Sequence, residues 1–295
     1  MLEFFAEVLL HPFMRRAVIV GFLISLCAAL LGTTLVLKRY SMIGDGLSHV
    51  GFGALAIASA AGVAPLHVAL PVVVAAAFLL LRISESGKIK GDAAIALIST
   101  GSLAVGVIAA SMSGTNTDLN SYLFGSVLVM SDSDVTASAI LSIFVLVVFV
   151  FFYSRIFAVT FDERFAKATG TRTGILNMLI ASMTAVTIVL GMRMMGALLM
   201  SSLVVFPAMS AMQICKRFKL VVITSAIVSV LCYTIGMFIS YYVSGLLIIA
   251  GLFIPYGLSI PPGASVVTVN IVALGLFSAI ARLSEKLGKK ETADN

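Results

Sequence analysis

Residues 17–37 read Ala17-Val18-Ile19-Val20-Gly21-Phe22-Leu23-Ile24-Ser25-Leu26-Cys27-Ala28-Ala29-Leu30-Leu31-Gly32-Thr33-Thr34-Leu35-Val36-Leu37, and the next two residues are Lys38-Arg39. The run holds no charged side chain and has the length of about 20 residues that a helix needs to cross the hydrocarbon layer. Long apolar runs, some with a single charged residue, also occur at 43–62, 66–83, 92–112, 135–154, 174–191, 194–214, 219–242 and 264–283. Backbone polar groups in lipid must be satisfied within the segment, and stretches this long do so as helices. The expectation is an all-α polytopic membrane protein of about nine transmembrane helices. Eight, with a different first segment, is the alternative, because Arg15-Arg16 sits badly beside a first span.

Composition supports this. Of 295 residues, 60% are hydrophobic and 11% charged, against about 25% charged in a soluble chain. No sizeable soluble domain fits between the apolar runs. Lys and Arg outnumber Asp and Glu, 19 to 13, but this excess does not point to nucleic acid. Lys38-Arg39, Arg82, Lys88, Lys90, the loop Arg155–Arg172, Lys216, Arg217, Lys219 and the stretch from Arg282 to Lys290 all fall in alternate loops. The loops near Gly62, at 111–121 and at 243–263 carry no Lys or Arg, and only Arg193 is out of place. Basic loops face the cytoplasm, which puts the C-terminus inside. Residues 1–14 read as an interfacial amphipathic lead-in, 15–284 as the membrane domain and 285–295 as a charged cytoplasmic tail. A shorter apolar piece, 245–258, reads as a re-entrant or interfacial element. The N-terminus shows no small-residue cleavage site of a signal peptide.

The polar exceptions carry the chemistry. Within Ser41-Met42-Ile43-Gly44-Asp45-Gly46-Leu47-Ser48-His49-Val50-Gly51-Phe52-Gly53, Asp45 and His49 are spaced by four and share one helix face. A carboxylate and an imidazole are a partial ligand set for a divalent cation, and an ionisable pair in lipid is a functional-site hypothesis by default. A buried Asp–His contact that joins helices, or a proton relay, fits the same two residues. The glycines remove bulk and invite a neighbouring helix. His11 and His67 do not obviously complete a site, whereas a second copy of the chain would double the pair.

Other intrusions read more plainly. Asp92 suits a helix N-terminus; Asp118 and Asn120 belong to an outer loop; Pro207 kinks a span. Met192, Met194, Met195, Met200, Met209 and Met212 read as gap fillers ahead of Cu(I) ligands. Cys27, Cys215 and Cys232 show no metal-ligand spacing. No G-x-x-x-x-G-K-[ST] loop occurs, so ATP hydrolysis is not expected of this chain.

The one substantial cytoplasmic loop contains Phe161-Asp162-Glu163-Arg164-Phe165-Ala166-Lys167-Ala168-Thr169-Gly170. It reads as a short amphipathic helix with acids in its first turn and glycine at its end. Phe161, Phe165 and Ala168 form a face for a partner's groove or for lipid headgroups.

Leu37-Lys38-Arg39 with Ser41 to His49 resembles the second-helix motif of the zinc/manganese/iron ABC importer permeases, the ABC-3 family. Tyr122-Leu123-Phe124-Gly125-Ser126-Val127-Leu128, the 161–170 stretch, and Gly196-Ala197-Leu198-Leu199 through Phe206-Pro207-Ala208 agree with it, in order along nearly the whole chain. The resemblance implies a homodimeric permease with a type II ABC importer-like fold in the plasma membrane of a prokaryote. It implies a cytoplasmic ATPase partner, an extracytoplasmic metal-binding solute protein, and no permanently bound cofactor. Asp45 and His49 would contact metal in transit. The coupling helix 161–170 would seat on the ATPase through Phe161, Asp162, Glu163, Phe165 and Gly170. Zinc is favoured over manganese as cargo. The alternatives are a permease for a metal chelate (haem or siderophore) and an ion-coupled secondary carrier, which would show inverted repeats. The 245–258 segment departs from the family pattern.

Overall fold

The computed structural model describes residues 12–86, 91–112, 125, 132–249 and 261–291. Most of the 1–14 lead-in, Asp118, Asn120, all of 122–128 but Gly125, and residues 250–258 of the 245–258 piece lie outside the described residues. The described part is helical: α1 (Pro12–Leu37), α2 (Ile43–Ala60), α3 (Pro65–Ser86), α4 (Gly91–Met112), α5 (Asp132–Phe151), α6 (Tyr153–Phe161), α7 (Glu163–Ala168), α8 (Thr173–Met195), α9 (Ala197–Ile214), α10 (Phe218–Ile249) and α11 (Pro262–Glu291).

Among the described residues, seven helices are long and apolar enough to cross a membrane, and eight if the bent pair α5–α6 is one span. Nine overstates the count. The helix that falls out is α2, where Asp45, His49 and four glycines dilute the apolar content of an 18-residue segment. Yet α2 is among the most enclosed elements: thirteen of its residues are buried, from Ile43 to Ala58. It packs along α4 and also against α3, α8 and α9.

Small residues make this packing possible. A Cβ added at Gly53 would stand 2.6 Å from the Ser102 carbonyl oxygen of α4, and one at Gly46 would stand 2.7 Å from Ile95 on the same helix. A Cβ at Gly51 would meet the Met192 methyl of α8 at 2.6 Å, and Gly44 faces Val204 of α9. Each glycine of the stretch therefore admits a neighbour, the arrangement that drives helix association where lipid is as apolar as the side chains.

Elsewhere, α1 crosses α9 at Gly32 and leans on α10. There the Tyr233 hydroxyl donates to the Ala17 carbonyl at 2.9 Å and Ser229 Oγ to that of Ser25 at 2.9 Å. Met192, Met195 and Met200 are buried in the core, with Met200 against Gly191, which is the gap-filling role.

Four boundaries differ from the sequence expectation. The 135–154 run does not end in a loop: after Phe152 the chain turns by 70° into α6. Its buried side is Ile156, Val159 and Thr160, spaced as one helix face. Helix α10 continues to Ile249, so residues 245–249 extend it, and α11 continues to Glu291 into the stretch read as a tail. Arg193 is not in a turn but in the last turn of α8, which Gly196 ends at φ 89°.

Candidate functional site

Asp45 stands in the first turn of α2, where a carboxylate is favoured by the unpaired backbone N–H groups of a helix start. One turn on, His49 Nε2 lies 3.7 Å from Asp45 Oδ2. That separation is too long for a hydrogen bond, so the two groups face a shared space without closing on each other. The Asp45 side chain keeps 44% of its exposure and His49 24%. His49 Nδ1 is buried and has no hydrogen-bond partner. Ser48, beside His49, does not join the pair: its hydroxyl donates to the Gly44 carbonyl at 2.8 Å and is buried.

Among the described residues no third His, Cys, Asp or Glu joins the pair. His67 is exposed in the first turn of α3, and Asp92 is exposed in the first turn of α4, as a helix-start carboxylate would be. Cys27 and Cys232 are buried free thiols. One copy of the chain thus offers two donors of the type that suits divalent first-row metals and leaves other coordination positions to something else.

The second region is the 161–170 stretch. The expected single helix is two pieces. Phe161 ends α6, Asp162 is extended (φ −144°, ψ 92°), and α7 covers only Glu163–Ala168. Asp162 Oδ1 accepts the Phe165 N–H at 2.8 Å as the N-cap. At the other end Gly170, φ 84°, closes the helix: its N–H donates to the Lys167 carbonyl at 3.1 Å and the Thr171 N–H to that of Ala166 at 3.0 Å. This is the Schellman pattern, in which glycine tolerates the left-handed position.

The aromatic residues divide. Phe161 packs edge-on to Phe218 at the start of α10, with ring centroids 5.7 Å apart, and against Phe157 at 5.0 Å. Phe165 is 65% exposed, and of α7 only Ala166 is buried. Glu163 is held from inside: its Oε1 accepts from Asn177 Nδ2 at 3.0 Å, and its Oε2 lies 3.6 Å from Lys38 Nζ. Sequence reasoning did not single out Lys38 or Asn177 for this role. Lys38 reads as an orienting charge, and the one signal for Asn177 is an amide within an apolar run. Their contact puts the end of α1 beside α7, on one face of the molecule.

Fold and site together define a multi-pass membrane protein built around an enclosed helix that carries an ionisable pair. Residues 10–247 match the model of the ABC 3 transport family. The chain belongs to that family. A manganese import system permease protein, ScaB of Streptococcus gordonii, is 27% identical over 78% of this chain and 82% of its own length. A probable iron transport system membrane protein of Haemophilus influenzae is 29% identical over 82% of this chain and 89% of its own. The fold is shared with the solved PsaBC from Streptococcus pneumoniae in complex with Fab, at a TM-score of 0.80 and 23% identity, covering 94% of this chain and 95% of that one.

Proposed function

We propose that this chain is the membrane permease of an ATP-driven importer for a divalent transition-metal ion, and that Asp45 and His49 contact the ion in transit. The observation that carries the reading is the half-complete donor pair on the enclosed, glycine-packed helix α2. Two donors hold a passing ion and release it, whereas a closed four-ligand cage would trap it. The missing ligands come from a second copy of the chain, water or the delivering protein; a homodimer supplies a second Asp45–His49 pair. A separate cytoplasmic ATPase binds α7 through the exposed Phe165, and an extracytoplasmic solute protein delivers the metal. ATP-driven closure of the ATPase, received at α7, then opens the path inward. No metal is resident; it is cargo.

Carboxylate and imidazole serve zinc, manganese and iron alike. The family resemblance covers zinc, manganese and iron alike and does not rank them, while the relatives named above carry manganese and iron in their names. Uptake of the three metals in cells carrying Asp45→Ala or His49→Ala tests the assignment. Accumulation is expected to fall about tenfold or more, with membrane levels of the protein unchanged. Normal uptake in both variants would remove Asp45 and His49 from the path, and competition among the three metals in wild-type cells ranks the cargo.

A further inference from the structure

Three polar groups from three elements meet beneath α7. Asn177, in the second turn of α8, is 4% exposed, and the Lys38 side chain is 9% exposed. Asn177 uses both ends of its amide: Nδ2 donates to Glu163 Oε1, while Oδ1 accepts from Lys38 Nζ. The ammonium also lies 3.6 Å from Glu163 Oε2, closing a triangle. A nearly buried ammonium is costly unless paired, so the end of α1 is tied to the first residue of α7.

The turn beyond Lys38 makes the tie consequential. Arg39 has φ 63° and, among the described residues, is the non-glycine at positive φ. Its N–H donates to the Val36 carbonyl at 3.0 Å and the Tyr40 N–H to that of Leu35 at 2.8 Å. This is again the Schellman closure, here with arginine where glycine is favoured. The Ile43 N–H then donates to the Tyr40 carbonyl at 3.0 Å, and α2 begins. From Glu163, the chain of contacts runs through Lys38 and a strained turn into the helical turn that holds Asp45. Strain of this kind persists only where surrounding structure enforces it, and it gathers at functional elements.

We propose that Lys38 and Asn177 are positioning residues that transmit displacement of α7 to the Arg39 turn and so to the metal-contacting end of α2. The proposal rests on the permease reading above. Its test uses the full permease with its ATPase, reconstituted in vesicles with the solute protein and manganese. Lys38→Met keeps the stem and removes the charge. ATP hydrolysis should persist while metal carried per ATP falls about tenfold, within the usual range of coupling between sites. Lys38→Arg, and the exchange Lys38→Glu with Glu163→Lys, should restore most of that ratio. If Lys38→Met does not accumulate, Asn177→Leu, which removes both amide contacts at similar volume and lies outside the ATPase-facing helix, is read the same way.

A second arm needs no cargo. Met42, 51% exposed at the N-cap of α2, is replaced by Cys in a background lacking the three native cysteines. Its maleimide labelling should change with nucleotide in the otherwise native chain and stay constant with Lys38→Met. An unchanged ratio of metal to ATP in Lys38→Met, or nucleotide-dependent labelling that survives it, overturns the proposal. A native complex that carries no metal overturns the import reading, and the coupling then stands or falls on the labelling.

Discussion

Thirteen of the eighteen residues of α2 are buried, whereas in the six-residue α7 only Ala166 is. The first helix is held by neighbours on several sides, admitted by glycines. The second is held by its own ends, the Asp162 cap and the Gly170 closure, and by one polar triangle. A six-residue helix is far below the length at which helices stand alone in water, so those attachments decide whether α7 exists. On the function proposed above, the contrast separates two tasks. A helix that meets an ion inside the membrane must be fixed tightly enough to aim its ligands. A helix that receives force from outside must present an uncovered surface and pass displacement on through few contacts.

The largest effect should come from filling the tightly packed helix. Gly53→Val places a branched side chain where even a Cβ stands 2.6 Å from the Ser102 carbonyl oxygen. Because backbone blocks it, overpacking should cost about 3 kcal/mol, seen as a loss of folded protein in membranes or a lower Tm; a normal Tm would show that α2 and α4 are not so closely joined. Next, on the loosely held helix, Phe165→Asp should leave Tm unchanged. It should weaken co-purification with the ATPase by about 2 kcal/mol, or roughly thirtyfold in affinity, as loss of an exposed aromatic anchor does. Undiminished co-purification would free α7 from that role.

Asp162→Ala removes the cap and should cost about 1 kcal/mol, local to α7. Hydrogen exchange at the Phe165 amide would speed up while exchange in α8 would not, and equal protection in both proteins would mean the cap contributes nothing. The smallest effect has the opposite sign. Arg39→Gly relieves the positive φ but adds freedom to the unfolded chain, for a net gain of about 0.5 kcal/mol. A small rise in Tm with reduced metal transport would tie the strain to function; a fall in Tm would show that the turn is not strained.

Much of the fold was legible because lipid imposes one rule on every span: long uncharged runs become helices. Eight of the nine apolar runs lie mostly within one helix each, and the ninth, 135–154, breaks at Phe152. The runs did not, however, reveal that 135–154 bends. Phe151, Phe152 and Tyr153 are all aromatic and none is a Pro or Gly that would mark a break, while beyond it Ile156 and Val159, three apart, are buried. The Phe161–Gly170 stretch was legible as a capped helix, but its start was set two residues early, since Phe161 is drawn back onto Phe218 and Asp162 is left extended. At the candidate site Asp45 and His49 could be found by spacing alone, because i and i+4 meet on any helix. The meeting of Lys38, Asn177 and Glu163 could not, because it depends on how α1, α7 and α8 pack, and no periodicity in one chain segment encodes that.

Passage of an ion between Asp45 and His49 is tested most directly by ATP-dependent manganese accumulation in vesicles. These would hold the purified permease and ATPase, either native or with Asp45→Ala and His49→Ala combined. The native complex should accumulate the metal and the double variant should not, with ATP hydrolysis and assembly retained in both. Equal accumulation by the two would contradict a path between these side chains.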